Sequence, residues 1–317
     1  MVIKDKNSAR ILITGGAGFM GRWVARNLVN KGYKVWILDN LSNCAEDNIE
    51  EFRSDLGDFI KGDIKDRILL GNLFKNKFEI CIHMAAAINV QESIDNTEKC
   101  FNNNVIGTFN VLDECRKYNT KMIFISSALV YETAKNNQAI TEDHPLNPSC
   151  PYTASKISGE QLTLSYYKTY NLPIVILRPF SIYGPWQRSD SEGGVVSIFM
   201  SKKIKGEPLE VFGDGEQTRD FFYIEDCAEF ITRASFNDNA VGQAFNAGSG
   251  QEVKIKDLAE KISGGEVDIK FVKHHHQHAE IMNMRADSSK AVRVLDWKPK
   301  TSIEQGLDKV REWLMAL

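Results

Sequence analysis

The sequence predicts an α/β protein in which a doubly wound parallel sheet carries a smaller, interleaved α/β lobe. Through Pro179, short β-rich runs alternate with longer amphipathic segments, which is typical of a parallel sheet covered by helices. After Pro179 the alternation stops and turn residues become frequent. We therefore expect one domain in residues 1–180, with segments near 223–247 returning to it, and a second lobe mainly in residues 181–317.

Six short runs of apolar and β-branched residues predict the strands of this sheet. They are Arg10–Thr14, Lys34–Leu38, Phe59–Lys61, Glu79–Met84, Lys121–Ser126 and Ile174–Arg178. Four longer segments between them predict helices. They are Phe19–Asn30, Lys65–Phe74, Thr97–Tyr118 and Tyr152–Tyr170. The last two carry apolar residues on more than one face, so we expect one face to pack on the sheet and another against a second subunit, in a homodimer.

The composition excludes several classes of protein. The 317 residues are 43% hydrophobic, which is enough for a full core, and carry a net charge of −3. A protein with this net charge has no overall positive field to attract nucleic acid backbones. The segment Met1–Arg10 is polar, and no later segment approaches the roughly 18 apolar residues that span a bilayer. We therefore expect a cytosolic protein with neither nucleic acid nor membrane as a partner.

Cysteine and histidine spacing gives little sign of a metal site. The six cysteines include no C-x-x-C pair, so reduced and mostly buried thiols are expected. The cluster His274–His278 contains four histidines, which are common metal ligands. A catalytic metal usually recruits ligands from several segments, however, so a solvated or substrate-side loop is the favoured interpretation and no metal is expected.

A glycine-rich turn joins the first predicted strand to the first helix. Gly15, Gly18 and Gly21 allow a sharp turn and close approach to a pyrophosphate, whose charge the free N–H groups of a helix N-terminus stabilise. Asp39 ends the second predicted strand, where a carboxylate binds ribose hydroxyls and repels a 2′-phosphate. The turn therefore predicts a dinucleotide site that prefers NAD to NADP, although Asp39 could instead be a plain turn residue. The same choice applies to Asp63 after the third strand, which could face the adenine amino group.

Tyr152 and Lys156 lie four residues apart on the predicted helix Tyr152–Tyr170, so both side chains emerge on one face. The unperturbed pKa of a phenol, about 10, is too high for a base at neutral pH. A neighbouring ammonium and a positive nicotinamide ring both favour the phenolate and lower that pKa. Ser126 and Ser127 end the fifth predicted strand, and the carboxyl ends of such strands open onto a shared cleft. We therefore expect a serine hydroxyl to meet Tyr152 and assist proton transfer there.

Short motifs spread over nearly the whole chain occur in one order. They are Thr14–Gly21, Asp39–Ser42, Gly62–Ile64, His83–Ala86, Asn103–Thr108, Ser126–Tyr131, Tyr152–Lys156, Leu177–Pro179, Gln217–Asp220, Arg285–Asp287 and Leu295–Trp297. Together they resemble the extended short-chain dehydrogenase/reductase family, and within it the nucleotide-sugar epimerase and dehydratase branch. The resemblance implies a Rossmann-type fold, NAD as the cofactor and a nucleotide-diphosphate sugar as the substrate.

The resemblance also implies roles for residues at matching positions. Ser127, Tyr152 and Lys156 would be catalytic, with Ser127 binding the sugar hydroxyl and Tyr152 taking its proton. The implied NAD contacts are Gly15, Gly18 and Gly21 at the pyrophosphate, Asp39 at the adenosine ribose, Asp63 and Ile64 at the adenine, Lys156 at the nicotinamide ribose, Pro179 at the carboxamide, and Phe19, Met20, Asn40, Ala85, Asn104 and Tyr152 elsewhere along the cofactor. The implied substrate contacts are Ser127, Ser181, Arg219 at the diphosphate, and Glu280.

Departures from the family pattern narrow the reaction. The 4,6-dehydratases carry an Asp-Glu pair directly after the residue that matches Ser127, and the decarboxylating relatives also carry the glutamate. This chain has Ala128 and Leu129 there, and neither side chain transfers a proton. Dehydration and decarboxylation are therefore disfavoured, and epimerisation is the leading interpretation because it needs no extra acid.

Three further positions concern the substrate. Ser181 replaces the asparagine usual after Arg-Pro-Phe, and Gln277 stands where 4-epimerases have a second phosphate-binding arginine. Glu280 keeps an acidic partner position ahead of Asp287. With fewer charged contacts, either the pyrophosphate is held differently or the substrate is neither UDP-glucose nor UDP-galactose.

The predicted reaction is an NAD-dependent epimerisation through a transient 4-keto sugar. Tyr152, assisted by Ser127, would remove the C4 hydroxyl proton as the hydride leaves, and the hydride would return to the opposite face after the keto sugar rotates. A 4-keto reductase that consumes NADH or NADPH is the alternative. A non-catalytic dinucleotide-binding protein is disfavoured because the chain keeps both Tyr152 and Lys156.

Overall fold

The computed structural model describes residues 9–134, 138–190, 194–273 and 281–317. The strands are β1 (Arg10–Thr14), β2 (Lys34–Asp39), β3 (Asp58–Lys61), β4 (Ile80–His83), β5 (Lys121–Ile125), β6 (Ile174–Pro179), β7 (Ser181–Tyr183), β8 (Leu209–Phe212), β9 (Thr218–Arg219), β10 (Phe221–Tyr223), β11 (Gln243–Ala247), β12 (Val253–Lys254) and β13 (Ile269–Val272). The helices are α1 (Phe19–Asn30), α2 (Arg67–Leu73), α3 (Val90–Asp95), α4 (Thr97–Phe101), α5 (Thr108–Tyr118), α6 (Pro151–Tyr170), α7 (Val195–Ile204), α8 (Ile224–Phe236), α9 (Ile255–Ser263), α10 (Ser289–Leu295) and α11 (Ile303–Met315).

Seven parallel strands form the main sheet in the order β11-β6-β5-β4-β1-β2-β3. From β1 the chain continues to β2 and β3 on one side and then crosses back to β4 on the other side of β1, so Thr14 lies between Leu38 and His83 in register. Ligands of doubly wound sheets bind outside the carboxyl ends of the strands at this reversal of strand order. The predicted Rossmann-type fold is confirmed, and its cleft opens beyond Thr14.

Both faces of the sheet are covered, as a parallel sheet requires. Successive side chains of a strand point to opposite faces. Ile11 and Ile13 pack in one core with side chains of α1 and α8, whereas Leu12 packs in a second core with side chains of α2 and α5. All three are fully buried, so β1 is covered on both sides.

The prediction of one continuous α-helix over Thr97–Tyr118 was wrong. A π-helical segment, Asn102–Gly107, separates α4 from α5. The wide turn directs the buried Asn104 amide away from the helix, where it bonds with Ala87 and Ser155. A Cβ on Gly107 would lie 2.4 Å from the Ile64 side chain, so this part of the helix also packs unusually close to the third crossover.

Two other helix predictions need correction. The predicted helix Lys65–Phe74 begins later, because Asp66 is its N-cap and accepts from the N–H groups of Ile68 and Leu69 at 3.0 Å. Helix α3 was not predicted. Its N-cap Asn89 accepts from the N–H of Glu92 at 2.9 Å, and an Asn followed three residues later by Glu is a sequence signal for such a start.

The remaining strands pair two by two in a smaller layer. β7 pairs with β10 and β8 with β13, both parallel, and β9 pairs with β12 antiparallel. Side chains of α7, α9 and α11 complete the core of this lobe. α8 packs against α1, and β11 pairs with β6. Both elements lie in the segments near 223–247 that are expected to return to the first domain. The division into an NAD-binding domain and a substrate-binding lobe remains an interpretation.

No helix in the described part of the chain combines the length and the apolar character needed to span a membrane.

Candidate active site

The glycine turn leaves no room for side chains at Gly15 and Gly21. Gly15 has φ of +73°, and a Cβ there would lie 2.7 Å from the backbone N of Ala85. A Cβ on Gly21 would lie 2.2 Å from the Gly15 carbonyl oxygen. Gly18, the N-cap of α1, has only that carbonyl oxygen near, at 3.4 Å. The surface beside Gly18 therefore allows a pyrophosphate to approach the first N–H groups of α1, which fits the predicted cofactor.

Asp39 lies at the end of β2 and supports the glycine turn. Its Oδ2 accepts from the N–H of Ala17 at 3.0 Å, and its Oδ1 accepts from the N–H of Leu41 at 2.8 Å. A carboxylate has about four lone-pair sites, so these bonds leave capacity for ribose hydroxyls. The side chain thus has a clear structural role, and its predicted ribose contact stays a prediction.

Asn40, Asp63 and Ile64 come together at the neighbouring strand ends. Asn40 Nδ2 donates to Asp63 Oδ2 at 3.0 Å, and the N–H of Lys65 donates to Asp63 Oδ1 at 2.8 Å. Burial tends to raise the pKa of Asp63, but these hydrogen bonds and the Lys65 ammonium outweigh it, so the pKa is lowered. Ile64 is buried in the core, and any contact of its side chain with adenine remains a prediction.

The catalytic trio predicted from the sequence is assembled at the ends of β5 and α6. Ser127 follows β5 and accepts from the N–H of Leu129 at 3.2 Å. Tyr152, in the first turn of α6, is close enough to Ser127 for that side chain to lower its pKa by hydrogen bonding. One turn later, Lys156 Nζ donates to the carbonyl of Ile125 at 2.9 Å. The end of β5 and the start of α6 therefore bring the three residues close to one another.

The titration of Tyr152 differs from the expectation. Burial raises the pKa of Tyr152 to about 12, and the Ser127 hydroxyl only partly opposes this. In the protein alone Lys156 is not among the groups that shift the pKa of Tyr152; burial lowers the pKa of Lys156 itself to about 8, and its ammonium donates to the Ile125 carbonyl. The expected lowering concerns the complex with NAD and stays a prediction. A positive nicotinamide ring, when bound, would add to the stabilisation of a phenolate.

Ala128 and Leu129 stand at the positions that carry acids in dehydratases, and their surroundings in the structure are largely apolar. Ala128 is buried, and Leu129 is half-buried and packs against the cluster of Cys100, Cys150 and Tyr152. Helix α3 completes this surrounding, because Ser93 Oγ accepts from the N–H of Tyr152 at 3.2 Å. The cysteines and α3 were not singled out from the sequence, since their approach to Tyr152 depends on packing between distant segments.

A cavity of about 450 Å³ lies in the smaller lobe. Ser181 and Arg219 both line it, and their predicted contact with substrate stays a prediction. Arg219 Nη1 donates to the carbonyls of Thr218 and Ile281, both at 2.7 Å, which holds the guanidinium at the wall. Phe212 also lines the cavity, and the sequence analysis did not select it.

Pro179 is anchored through its neighbour Arg178 at the end of β6. Arg178 forms a bidentate pair with Glu160 of α6, with Nη2 to Oε2 at 2.6 Å and Nε to Oε1 at 2.9 Å. Burial alone would lower the pKa of Arg178, but Glu160 outweighs this and raises it. The pair ties the helix that carries Tyr152 to the strand that ends at Pro179.

Phe19 and Met20 begin α1 and pack partly against the core of the smaller lobe, so they lie at the junction of the two layers. Glu280, Gln277 and the cluster His274–His278 lie outside the described residues.

Comparison with known proteins gives matches along nearly the whole chain. The family profile described as GDP-mannose 4,6 dehydratase matches residues 12–310. UDP-glucose 4-epimerase of Mycolicibacterium smegmatis is 33% identical over 96% of this chain and 98% of its own. Pal from Bacillus thuringiensis has a structure with a TM-score of 0.95 at 48% identity, covering 97% of this chain and 99% of that one. UDP-glucuronic acid 4-epimerase of Bacillus cereus, solved with UDP-glucuronic acid and NAD, has a TM-score of 0.88 at 33% identity, with 97% and 99% covered.

Proposed function

Since this chain belongs to the family described as GDP-mannose 4,6 dehydratase, within the extended short-chain dehydrogenases/reductases, we propose that it is an NAD-dependent epimerase of a nucleotide-diphosphate sugar. The observation that carries this choice within the family is the apolar pair Ala128 and Leu129 beside Ser127 and Tyr152. Two of the relatives above are named as 4-epimerases of UDP-sugars, which supports the same choice.

NAD, when bound, supplies a positive ring beside Tyr152 and accepts and returns the hydride of the sugar C4. Ser127 receives the N–H of Leu129 on its oxygen, which leaves its own proton for Tyr152 or for the sugar hydroxyl. A donor aimed at the phenol oxygen favours the phenolate. Tyr152 then takes the C4 hydroxyl proton and gives it back when the keto sugar has rotated.

Lys156 and Arg219 hold the two ends of the reacting complex. The Lys156 ammonium has three donors and gives one to the Ile125 carbonyl, so two remain for the nicotinamide ribose and Tyr152. Arg219 would grip the diphosphate, since a planar guanidinium matches phosphate oxygens in bidentate fashion. The nucleobase would then lie in the cavity against Phe212.

The alternative function is reduction of a 4-keto nucleotide sugar with NADH or NADPH as a consumed co-substrate. It would use the same Ser127, Tyr152 and Lys156, with Tyr152 donating the proton to the keto oxygen. The apolar residues beside Tyr152 serve this reaction as well as epimerisation, so reaction products must separate the two.

The reaction type can be tested on a panel of UDP-, dTDP-, GDP- and CDP-hexoses. We expect epimers and no 4-keto-6-deoxy product, because Ala128 and Leu129 supply no acid for elimination. Substrate deuterated at C4 should give product that retains the label without added cofactor. Mass spectrometry and NMR of the products measure both, and a Tyr152→Phe preparation is the control for contaminating activity. A 4-keto-6-deoxy sugar would refute the proton-transfer argument, and a strict need for added NADH or NADPH with net reduction would establish the reductase.

Cofactor preference follows from the predicted role of Asp39. We expect NAD to bind at least about tenfold more tightly than NADP, because a carboxylate at the ribose repels a 2′-phosphate. Isothermal titration of cofactor-free protein measures both affinities. Equal affinities, or a preference for NADP, would remove Asp39 from the ribose site.

A homodimer is proposed from the outer faces of α4 to α6. Ile106, 50% exposed on the π-helical segment, lies with the half-buried Phe101, Val105 and Phe109 on one side of this helical run. Pairing with a second copy would bury these side chains. Light scattering at micromolar concentration should give twice the chain mass, and Ile106→Arg should give a monomer. Phe271→Arg, at an exposed position on β13, is the matched control and should stay dimeric.

A cytosolic location is also part of the proposal. All six cysteines lie in the described ranges and are free thiols, which suits a reducing compartment.

A further inference from the structure

Five buried polar residues form one hydrogen-bonded chain beneath the glycine turn, connected at Asn104 through its backbone carbonyl, and none of them belongs to the proposed catalytic trio. They are Thr14, His83, Asn104, Thr108 and Ser155, each at most 2% exposed. They come from β1, β4, the π-helical segment, α5 and α6, so the chain links the strand before the glycine turn to the helix that carries Tyr152.

The direction of these bonds follows from Thr108. Its Oγ1 lies 2.6 Å from the carbonyl oxygen of Asn104, which can only accept, so the hydroxyl donates there. Because a hydroxyl has one proton, Thr108 must accept from His83 Nε2 at 2.9 Å. A neutral imidazole has one N–H, so Nδ1 is bare and accepts from Thr14 Oγ1 at 2.7 Å. The bonds therefore specify one tautomer of His83, with the proton on Nε2.

Both ends of the chain meet the segment Ala85–Ala87. The N–H of Ala85 donates to Thr14 Oγ1 at 3.4 Å. The Asn104 amide accepts from the N–H of Ala87 at 2.7 Å and donates to its carbonyl at 2.9 Å. Asn104 Nδ2 also donates to Ser155 Oγ at 2.9 Å, and the contact of this segment with Gly15 leaves no space for a Cβ. The hydrogen-bonded chain thus holds Ala85–Ala87 in place against the glycine turn.

We propose that His83 is a positioning residue for the NAD site, a neutral imidazole protonated on Nε2 that holds Ala85–Ala87 against the glycine turn and, through Thr108 and Asn104, against α6. This inference rests on the proposed placement of NAD over these residues. An added proton on Nδ1 would face the proton of Thr14 Oγ1, which breaks this chain of hydrogen bonds.

The surroundings of His83 keep it neutral. Burial, and after it the charge of Lys156 from α6, lowers the pKa of His83 to about 3. The other groups that pack on the ring are uncharged: Thr14 from β1, Thr108 from α5 and Phe124 from β5, whose ring centroid is 6.0 Å away. His83 should therefore stay neutral at pH values below and above the usual histidine pKa.

The tautomer can be measured in cofactor-free protein labelled with ¹⁵N in histidine. Long-range ¹H–¹⁵N spectra should show His83 with a protonated Nε2 and a bare Nδ1, unchanged between about pH 5.5 and 8.5. His83→Gln assigns the signal by its loss. A proton on Nδ1, or titration near the usual histidine pKa, would overturn the proposal. This readout needs no turnover, so it fails or succeeds independently of the proposed reaction.

The positioning role is tested with two matched threonine variants. Thr108→Val removes the acceptor of His83, whereas Thr163→Val removes an equally buried helical hydroxyl that donates to the Gly159 carbonyl at 2.7 Å, away from the glycine turn. We expect Thr108→Val to weaken NAD binding about tenfold in calorimetry and to shift the His83 signals. Thr163→Val should leave both unchanged within about twofold. Equal effects of the two variants on NAD affinity would reduce His83 to a general structural role and overturn the proposal.

Discussion

Replacing Tyr152 by Phe is expected to lower turnover by about 10²- to 10⁴-fold, the usual contribution of a positioned general base. The substitution removes the hydroxyl that takes the C4 proton but keeps the ring that packs with Cys100 and Cys150. NAD affinity should therefore stay within about threefold, because little of the cofactor contact surface is lost. Epimer formation per enzyme and calorimetry with NAD measure the two quantities.

Tyr223→Phe is the matched control for this loss. The Tyr223 ring is buried in the core of the smaller lobe, and its hydroxyl is among the buried groups that lack a hydrogen-bond partner in the described part of the protein. Removing it should leave turnover within about twofold, since no partner loses a bond. A Tyr152→Phe enzyme with near-normal turnover would mean that another group is the base.

Comparison of the wild type with Tyr152→Phe also gives the pKa of the Tyr152 phenol. With the pKa of Tyr152 at about 12 in the protein alone, phenolate is scarce at neutral pH and increases as the pH rises. NAD brings a positive charge beside the phenol, which favours the charged form, so the pKa should fall when NAD binds. The difference in phenolate absorbance between wild type and Tyr152→Phe, followed with pH, measures it. A pKa that NAD leaves unchanged would contradict this account of how the base is activated.

Replacing Arg178 by Met should lower the free energy of unfolding by about 3–5 kcal/mol, the range for breaking a buried ion pair. The side chains of Arg178 and Glu160 are 7% and 0% exposed. Loss of the guanidinium leaves the Glu160 carboxylate buried without its bidentate partner, and Tyr131 also loses the donor that lies 2.7 Å from its hydroxyl. Urea unfolding followed by circular dichroism measures the change.

A double variant separates the uncompensated charge from the loss of packing. Arg178→Met combined with Glu160→Met removes both charges at similar volume, and such pairs can often be replaced by apolar residues with little loss. We expect the double variant to recover much of the stability that Arg178→Met loses. A double variant no more stable than the single one would show that packing around the guanidinium, and not the buried carboxylate, causes the loss.

Local patterns were enough for six of the seven strands of the central sheet and for the dinucleotide turn. Apolar runs of four to six residues have few alternatives to buried parallel strands when helices separate them, and the bounds of β1 and α1 were predicted without error. Gly21 is likewise local, because a Cβ there would meet the Gly15 carbonyl oxygen, whereas the close neighbour of Gly15 is Ala85 on another segment. The spacing of Tyr152 and Lys156 on one helical face follows from helix geometry alone.

The sequence by itself thus determined the fold class and the NAD cofactor, and it predicted Tyr152 and Lys156 as the catalytic pair. Only the tertiary structure decided what surrounds that pair. The approach of Cys100 and α3 to Tyr152, the π-helical turn that frees Asn104, the tautomer of His83 and the cavity beside Phe212 all depend on contacts between segments far apart in sequence. The pKa of Tyr152 belongs to the same class, because burial raises it and burial is a property of the packed chain.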